Sequence, residues 1–273
     1  MLGKLIKNEF KANLHSIGMI YVVAACAVAI MAITYAFKVT WISALATCIL
    51  IAAGGIAIIL TFACVIMNFQ KTLFGNQGYL SFTLPVTSGQ LLAAKAITSF
   101  CWMLFSFIVA GGIFFGVYLY ATAMVGDDVK EAIQMITIFL KDFPSTATIK
   151  EIIALAVLVI FIRIIVLIAQ LYFALTLANT RIMQKFKGFS VVIVFFVVFI
   201  AMLAISLILT NYVPLTAVVT TQGIFWSTNV AMNVHQSDIL ISFGLTGTIF
   251  NCICGVLLFL GTTKLMDTKI NVK

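Results

Sequence analysis

Arg163 is the residue whose type is least expected at its position, because it lies deep inside a long apolar run at residues 152–179. It follows the start of that run by about twelve residues, or about 18 Å at the helical rise. An arginine at this depth costs at least about 2.5 kcal/mol unless it faces protein or water. Gln170 comes two turns later on the same helical face. One interpretation is that both side chains line the path of an anionic or amphipathic substrate. The other is a structural hydrogen bond from Arg163 to carbonyls or to a partner subunit.

The other reactive residue types form no catalytic set. A phosphate-binding loop would end in Gly-Lys-Ser or Gly-Lys-Thr, whereas the Gly-Lys pair here is Gly3-Lys4 at the extreme start of the chain. The sequence therefore predicts no catalytic residue, no cofactor and no metal ligand. If ATP drives this protein, we expect a separate ATPase subunit to bind the ATP and Mg²⁺.

All eight acidic residues and both histidines lie outside the apolar runs. Proton relays and membrane-embedded enzymes need titratable groups within their spans, so both classes are disfavoured. Sodium coupling through carbonyls and hydroxyls is left open.

Composition defines the broad class. Hydrophobic residues make up 63% of the 273 residues and charged residues 9%, whereas a soluble domain has about 25% charged residues. The net charge of +8 comes from single basic residues at the edges of apolar runs, so we expect no nucleic-acid partner. The six cysteines fall inside those runs and are interpreted as packing residues. The chain is therefore predicted to be an all-α polytopic membrane protein.

Six apolar segments are long enough to cross a bilayer, which takes about 20 residues each. Before them, residues 1–16 would form a helix with one apolar face and one face that carries lysines. This pattern predicts an amphipathic helix lying in the headgroup layer. The first apolar run is too long for a signal-peptide core, so we expect it to be retained. We interpret residues 1–273 as a single membrane domain, with spans at residues 17–37, 41–67, 96–125, 152–179, 188–209 and 239–263.

The distribution of lysine and arginine predicts the orientation. With the N-terminus inside, eleven basic residues lie on the cytoplasmic side, Lys71 and Lys95 among them, and four lie outside. Both termini are therefore expected in the cytoplasm. The two longer outer segments are residues 126–151 and 211–238, and the polar and aromatic mixture of the second predicts short helices folded into the outer leaflet.

The connection between the second and third spans, Phe69 to Lys95, is unusually apolar for a segment placed in the cytoplasm. Gly75 and Pro85 prevent one continuous helix, and the polar start at Thr87 or Ser88 suits a helix cap. Such a segment is typical of a short surface element that docks onto another protein. The residues expected to make that contact are Phe74, Gly78, Tyr79, Leu80, Phe82, Leu84 and Pro85.

The run Gly-Tyr-Leu-Ser-Phe-Thr-Leu-Pro-Val at residues 78–86, followed by Gln90-Leu91-Leu92 and Lys95, resembles the corresponding segment of permease subunits of type-2 ABC exporters. At residue level the resemblance covers residues 69–95. It implies that this segment contains the coupling helix that contacts the ATPase. It further implies a second permease chain, identical or paralogous, and a bacterial cytoplasmic membrane.

The function expected from this resemblance is ATP-driven export of a hydrophobic or amphipathic substrate such as a peptide, lipid or drug. One alternative is a membrane immunity or sensor protein that binds an amphipathic peptide without moving it. A secondary transporter is a further alternative.

Overall fold

The structure is a computed structural model that describes residues 2–36, 40–75, 86–125, 134, 146–180, 189–213, 215–220, 223–227 and 239–269. Helices dominate it. The long apolar runs suit a bilayer, and a helix satisfies all backbone hydrogen bonds within its own segment, as a bilayer requires. The described residues form the helices α1 (Leu2–Ala36), α2 (Thr40–Leu73), α3 (Ser88–Val125), α4 (Thr146–Ala178), α5 (Phe189–Tyr212) and α6 (Leu245–Lys269).

Each of these six helices is long and apolar enough to cross a membrane. The prediction of a six-span helical membrane protein is confirmed at that level. The described chain divides into two compact units, one containing α1–α3 and the other α4–α6. That the whole chain forms a single domain stays a prediction.

The first unit packs α1, α2 and α3 against one another. Its buried side chains come from all three helices and include Ile17, Leu50, Phe69 and Leu92, each at most 2% exposed. Helix α1 runs without a break from Leu2 to Ala36. The predicted interfacial helix at residues 1–16 is therefore not a separate element, and its position in the headgroup layer stays a prediction.

Local chemistry defines both ends of the α2–α3 connection. A side chain at Gly75 would place its Cβ 2.7 Å from the carbonyl oxygen of Lys71, so glycine is required just after α2. At the other end, the backbone N–H of Gln90 donates to the hydroxyl of Thr87 at 3.3 Å. Thr87 is therefore the N-cap of α3. It is one of the two positions, Thr87 and Ser88, at which a cap was predicted.

The second unit packs α4 against α6 and α5 against both. Small residues on α6 permit this approach. A Cβ at Gly255 would lie 3.1 Å from Cγ2 of Val166 on α4, and one at Gly247 would lie 2.6 Å from the hydroxyl of Ser206 on α5. Asn251, between the two glycines, donates to the same hydroxyl at 3.3 Å. The stripe of Gly247, Asn251 and Gly255 therefore lets α6 approach α4 and α5 closely.

A three-stranded antiparallel sheet precedes α6, with β1 (Thr216–Thr220) in the centre between β2 (Gly223–Ser227) and β3 (Ile239–Gly244). Thr216 pairs with Ser227 on one side and with Gly244 on the other. Short helices were predicted within residues 211–238. That prediction is wrong for residues 216–220 and 223–227, which form β1 and β2. Thr, Val, Ile, Phe and Trp dominate these strands and favour extended backbone.

The sixth span also begins later than predicted. Residues 239–244 form β3, and α6 starts at Leu245 rather than at Ile239. Hydropathy alone cannot separate a short apolar strand from the helix that follows it.

Candidate functional site

A polar cluster lies within the otherwise apolar first unit, and we call it the Glu9–Lys95 cluster. The ammonium of Lys95 donates to Oε1 of Glu9 at 2.5 Å and to the hydroxyl of Thr72 at 2.7 Å. The side-chain amide of Asn68 donates to Oε2 of Glu9 at 3.1 Å. Lys95 is 2% exposed and Glu9 14% exposed. One ion pair and its hydrogen bonds therefore join α1, α2 and α3.

The cluster follows from the positions of its members on their helices. Glu9 lies two turns into α1, and Lys95 lies two turns into α3. Asn68 and Thr72 occupy successive turns at the end of α2, and the Thr72 hydroxyl donates back to the Asn68 carbonyl at 2.6 Å. A buried charge needs a partner of opposite sign and full hydrogen bonding, and this arrangement supplies both.

Apolar side chains enclose the same end of the unit. Phe69 and Leu73 on α2, and Leu91 and Leu92 on α3, are at most 4% exposed. The ring of Phe74 lies 6.0 Å from that of Phe69, centre to centre. Both helices that bound the connection of residues 76–85 are therefore fixed where the connection begins and ends.

The positions of Lys95 on the cytoplasmic side and of Glu9 outside the spans stay predictions. The pairing of the two side chains inside the helix bundle was not predicted from the sequence. One signal could have indicated the pair. Glu9 is the only acidic residue before Asp127, so a lysine buried anywhere in the first three helices has a single carboxylate available.

A second polar chain lies further along the same helices. The Tyr21 hydroxyl is 2.6 Å from the Ser106 hydroxyl, which donates to the Thr61 hydroxyl at 2.7 Å. Thr61 in turn donates to the Ala57 carbonyl at 2.8 Å. These neutral bonds again join α1, α2 and α3, and they satisfy hydroxyls that would be costly to bury unpaired.

The predicted path residues Arg163 and Gln170 have different surroundings. Gln170 is buried, and its amide lies 2.9 Å from the sulfur of Met202 on α5. Arg163 is exposed on α4, and within the described residues its side chain has no hydrogen bond or ion pair. Both interpretations of Arg163, a substrate path or a partner subunit, remain predictions.

The predicted ATPase-contact residues fall mostly outside the described part of the chain. Phe74 is described and is half-buried, with its N–H donating to the Gln70 carbonyl at 2.9 Å. Gly78, Tyr79, Leu80, Phe82, Leu84 and Pro85 lie outside the described residues.

Gly112 and Gly116 lie one turn apart on α3 and make no close contact with the other described helices. A Cβ at Gly112 or Gly116 would meet nothing within 4 Å. These glycines border a groove instead.

Fold and site together define a multi-pass helical membrane protein with a buried ion pair beside its α2–α3 connection. No protein-family model, curated protein or solved structure matches the chain.

Proposed function

We propose that this chain is the permease subunit of an ATP-driven ABC exporter in a cytoplasmic membrane. Two permease chains and two separate ATPase subunits would form the transporter. The substrate would be a hydrophobic or amphipathic molecule, and both termini of the chain would lie in the cytoplasm.

The Glu9–Lys95 cluster is the observation that best supports this function. A force from an ATPase on residues 76–85 reaches α2 and α3 through their joined ends. The hydrogen bonds of Glu9 extend that connection to α1. In this proposal the three linked helices would move as one body, and such rigid-body movement would transmit a mechanical step from the ATPase.

The same geometry disfavours a proton-carrying role for the pair. Both oxygens of Glu9 accept hydrogen bonds, and Lys95 donates to two partners. The pair is also largely shielded from solvent, whereas a proton carrier must exchange its proton with its surroundings during each cycle. The cluster also lies within about two turns of the ends of its helices, whereas transporter sites are found near the middle of the spans.

The proposal is tested by purifying the tagged chain from its native membrane and identifying associated proteins by mass spectrometry. We expect an ATPase with a phosphate-binding loop to copurify. Replacing both Tyr79 and Phe82 with aspartate should detach that ATPase or uncouple its hydrolysis from transport, because charge at an apolar contact is costly.

The matched control is the pair Ser81→Asp and Thr83→Asp, which adds the same charges to the same segment at polar positions. It should retain the ATPase. Full copurification and full coupled activity in the Tyr79→Asp/Phe82→Asp chain would contradict the proposal. Copurification without ATP-dependent substrate movement would favour the immunity or sensor alternative.

A further inference from the structure

The first three turns of α1 carry a line of exposed lysines. Lys4, Lys7 and Lys11 follow one another at steps of three and four residues, which places them within about 60° on one side of the helix. All three side chains are exposed, and within the described residues none of them forms a hydrogen bond or an ion pair. We call this surface the lysine face.

The lysine face points away from the other two helices of the first unit. Glu9, which binds Lys95 on α3 and Asn68 on α2, lies roughly 160° around α1 from the centre of that face. Glu9 is also the only acidic residue before Asp127. Among the described residues of α1, α2 and α3, no carboxylate therefore neutralises the lysine face.

The same side of α1 becomes apolar one turn later. Leu14, Gly18 and Val22 continue the line in steps of three and four residues, and the side chains of Leu14 and Val22 are 53% and 63% exposed. Lys11 and Leu14 are about 4.5 Å apart along the helix axis. Helical side chains lean towards the N-terminus, so the lysines reach away from the apolar part. This pattern is typical of a helix that leaves the hydrocarbon core at this level.

The chemistry of the lysine face requires an anionic partner at the membrane boundary. In the predicted topology six of the eight acidic residues lie on the opposite side of the membrane, and the two on this side are Glu9 and Asp267. Arg181, Lys185 and Lys187, between α4 and α5, add further positive charge on this side. Neither the rest of the chain nor a second copy of it therefore offers a matching set of carboxylates. Phospholipid phosphates are present all along this boundary.

We propose that the lysine face binds the headgroups of anionic phospholipids. Binding here is the exchange of a zwitterionic lipid for an anionic lipid beside α1, so the contribution of the acyl chains is the same before and after and cancels. The net charge of the headgroup makes the difference. Each lysine close to an anionic membrane surface raises affinity by a factor of about five. The site does not depend on what the chain transports.

The site is tested with the full chain in phosphatidylcholine nanodiscs that contain a minor fraction of phosphatidylglycerol. Two probes are added in equal amounts, phosphatidylglycerol and phosphatidylcholine, each with the same acyl chain and a diazirine close to its ester. Crosslinks within residues 2–23 are located by peptide mass spectrometry. We expect the phosphatidylglycerol probe to label this segment at least about five times more than the phosphatidylcholine probe, the effect of a single lysine.

Three sets of substitutions separate charge at the lysine face from charge elsewhere. Changing Lys4, Lys7 and Lys11 together to glutamine should bring the labelling ratio close to one, while Glu9 and its partners stay intact. Changing the same three residues to arginine keeps the charge and should keep the ratio. The charge-matched control is Lys130→Gln/Lys141→Gln/Lys150→Gln, which removes three lysines from residues 126–151 and should label α1 like the unaltered chain.

A salt series on the unaltered chain makes the test independent of how the variants fold. At about 1 M salt the Debye length falls to about 3 Å, so the preference for phosphatidylglycerol should weaken. A ratio near one in the unaltered chain at low salt, as expected if an acidic protein is the true partner, would overturn the proposal. So would a preference that survives the glutamine substitutions or falls equally in the control. No ATPase takes part in this assay, so its failure would leave the proposed coupling to an ATPase untouched.

Discussion

The buried ion pair between Glu9 and Lys95 is the residue-level feature with the largest energetic consequence. Removing two charges from water is expensive, and the pair is tolerated because each charge finds its partner and further hydrogen bonds from Asn68 and to Thr72. Such a pair does little for net stability compared with an apolar replacement of both residues. It does make one arrangement of the three helices strongly preferred over others in which either charge is left alone.

Replacing Lys95 with methionine should destabilise the folded chain by about 3–5 kcal/mol, because Glu9 is left buried without its counter-charge. The double variant Glu9→Gln/Lys95→Met should recover most of that loss, since no isolated charge remains. The measurement is reversible unfolding of the purified chain in mixed micelles. Lys71→Met makes the same change at an exposed position on α2 and should have little effect. A double variant as unstable as the sum of its singles would show that the pair is not coupled.

Arg163 shows what residue type alone can predict. Its depth in an apolar run predicts that the guanidinium is costly to place there, but it does not predict which surface the side chain faces. In the structure Gln170 is satisfied by α5 within its own unit, whereas Arg163 is exposed on α4. The two residues were predicted to lie on one helical face. Their surroundings nevertheless differ, because Gln170 is buried and Arg163 is exposed.

At the scale of elements, the helices could be predicted from sequence because each apolar run exceeds the length that a span requires. The end of α2 and the start of α3 were also readable, from Gly75 and from Thr87. The sheet was not, since β3 is itself apolar and runs directly into α6. The Glu9–Lys95 cluster was missed because it depends on which helices pack together, and single-helix patterns do not contain that information.

The two glycine stripes differ in a way that only packing reveals. On α6, Gly255 is buried against Val166, whereas Gly112 and Gly116 on α3 border open space. The sequence pattern of small residues one turn apart is the same in both helices. Such a pattern indicates a helix–helix contact only where a neighbouring helix packs against the small residues.

Gly255→Leu should destabilise the second unit by about 1–3 kcal/mol, because its side chain must displace α4 at Val166. Gly111→Leu, at an exposed position on α3, should leave stability unchanged or raise it slightly, given the better helix propensity of leucine. Thermal unfolding of the two purified variants in the same detergent makes the comparison. Equal midpoints would show that α4 and α6 are not held together at Gly255.

At the scale of the whole molecule, the described helices indicate a multi-pass membrane protein, and the Glu9–Lys95 cluster joins three of them beside residues 76–85. The proposed function assigns that cluster a mechanical role. An ATPase pressing on the connection would move α1, α2 and α3 together. For this mechanism to operate, residues 76–85 must face the cytoplasm and contact the ATPase there.

Site-specific crosslinking at this connection tests that requirement most directly. A photo-crosslinking phenylalanine derivative is placed at Tyr79 or Phe82, and for comparison at Phe115, which is exposed on α3. After irradiation of intact cells, the crosslinked partners are identified by mass spectrometry. We expect the derivative at position 79 or 82 to capture a cytosolic ATPase with a phosphate-binding loop, and the derivative at position 115 not to capture one. Capture of extracytoplasmic proteins at Tyr79 and Phe82, or of lipid alone in an active transporter, would contradict it.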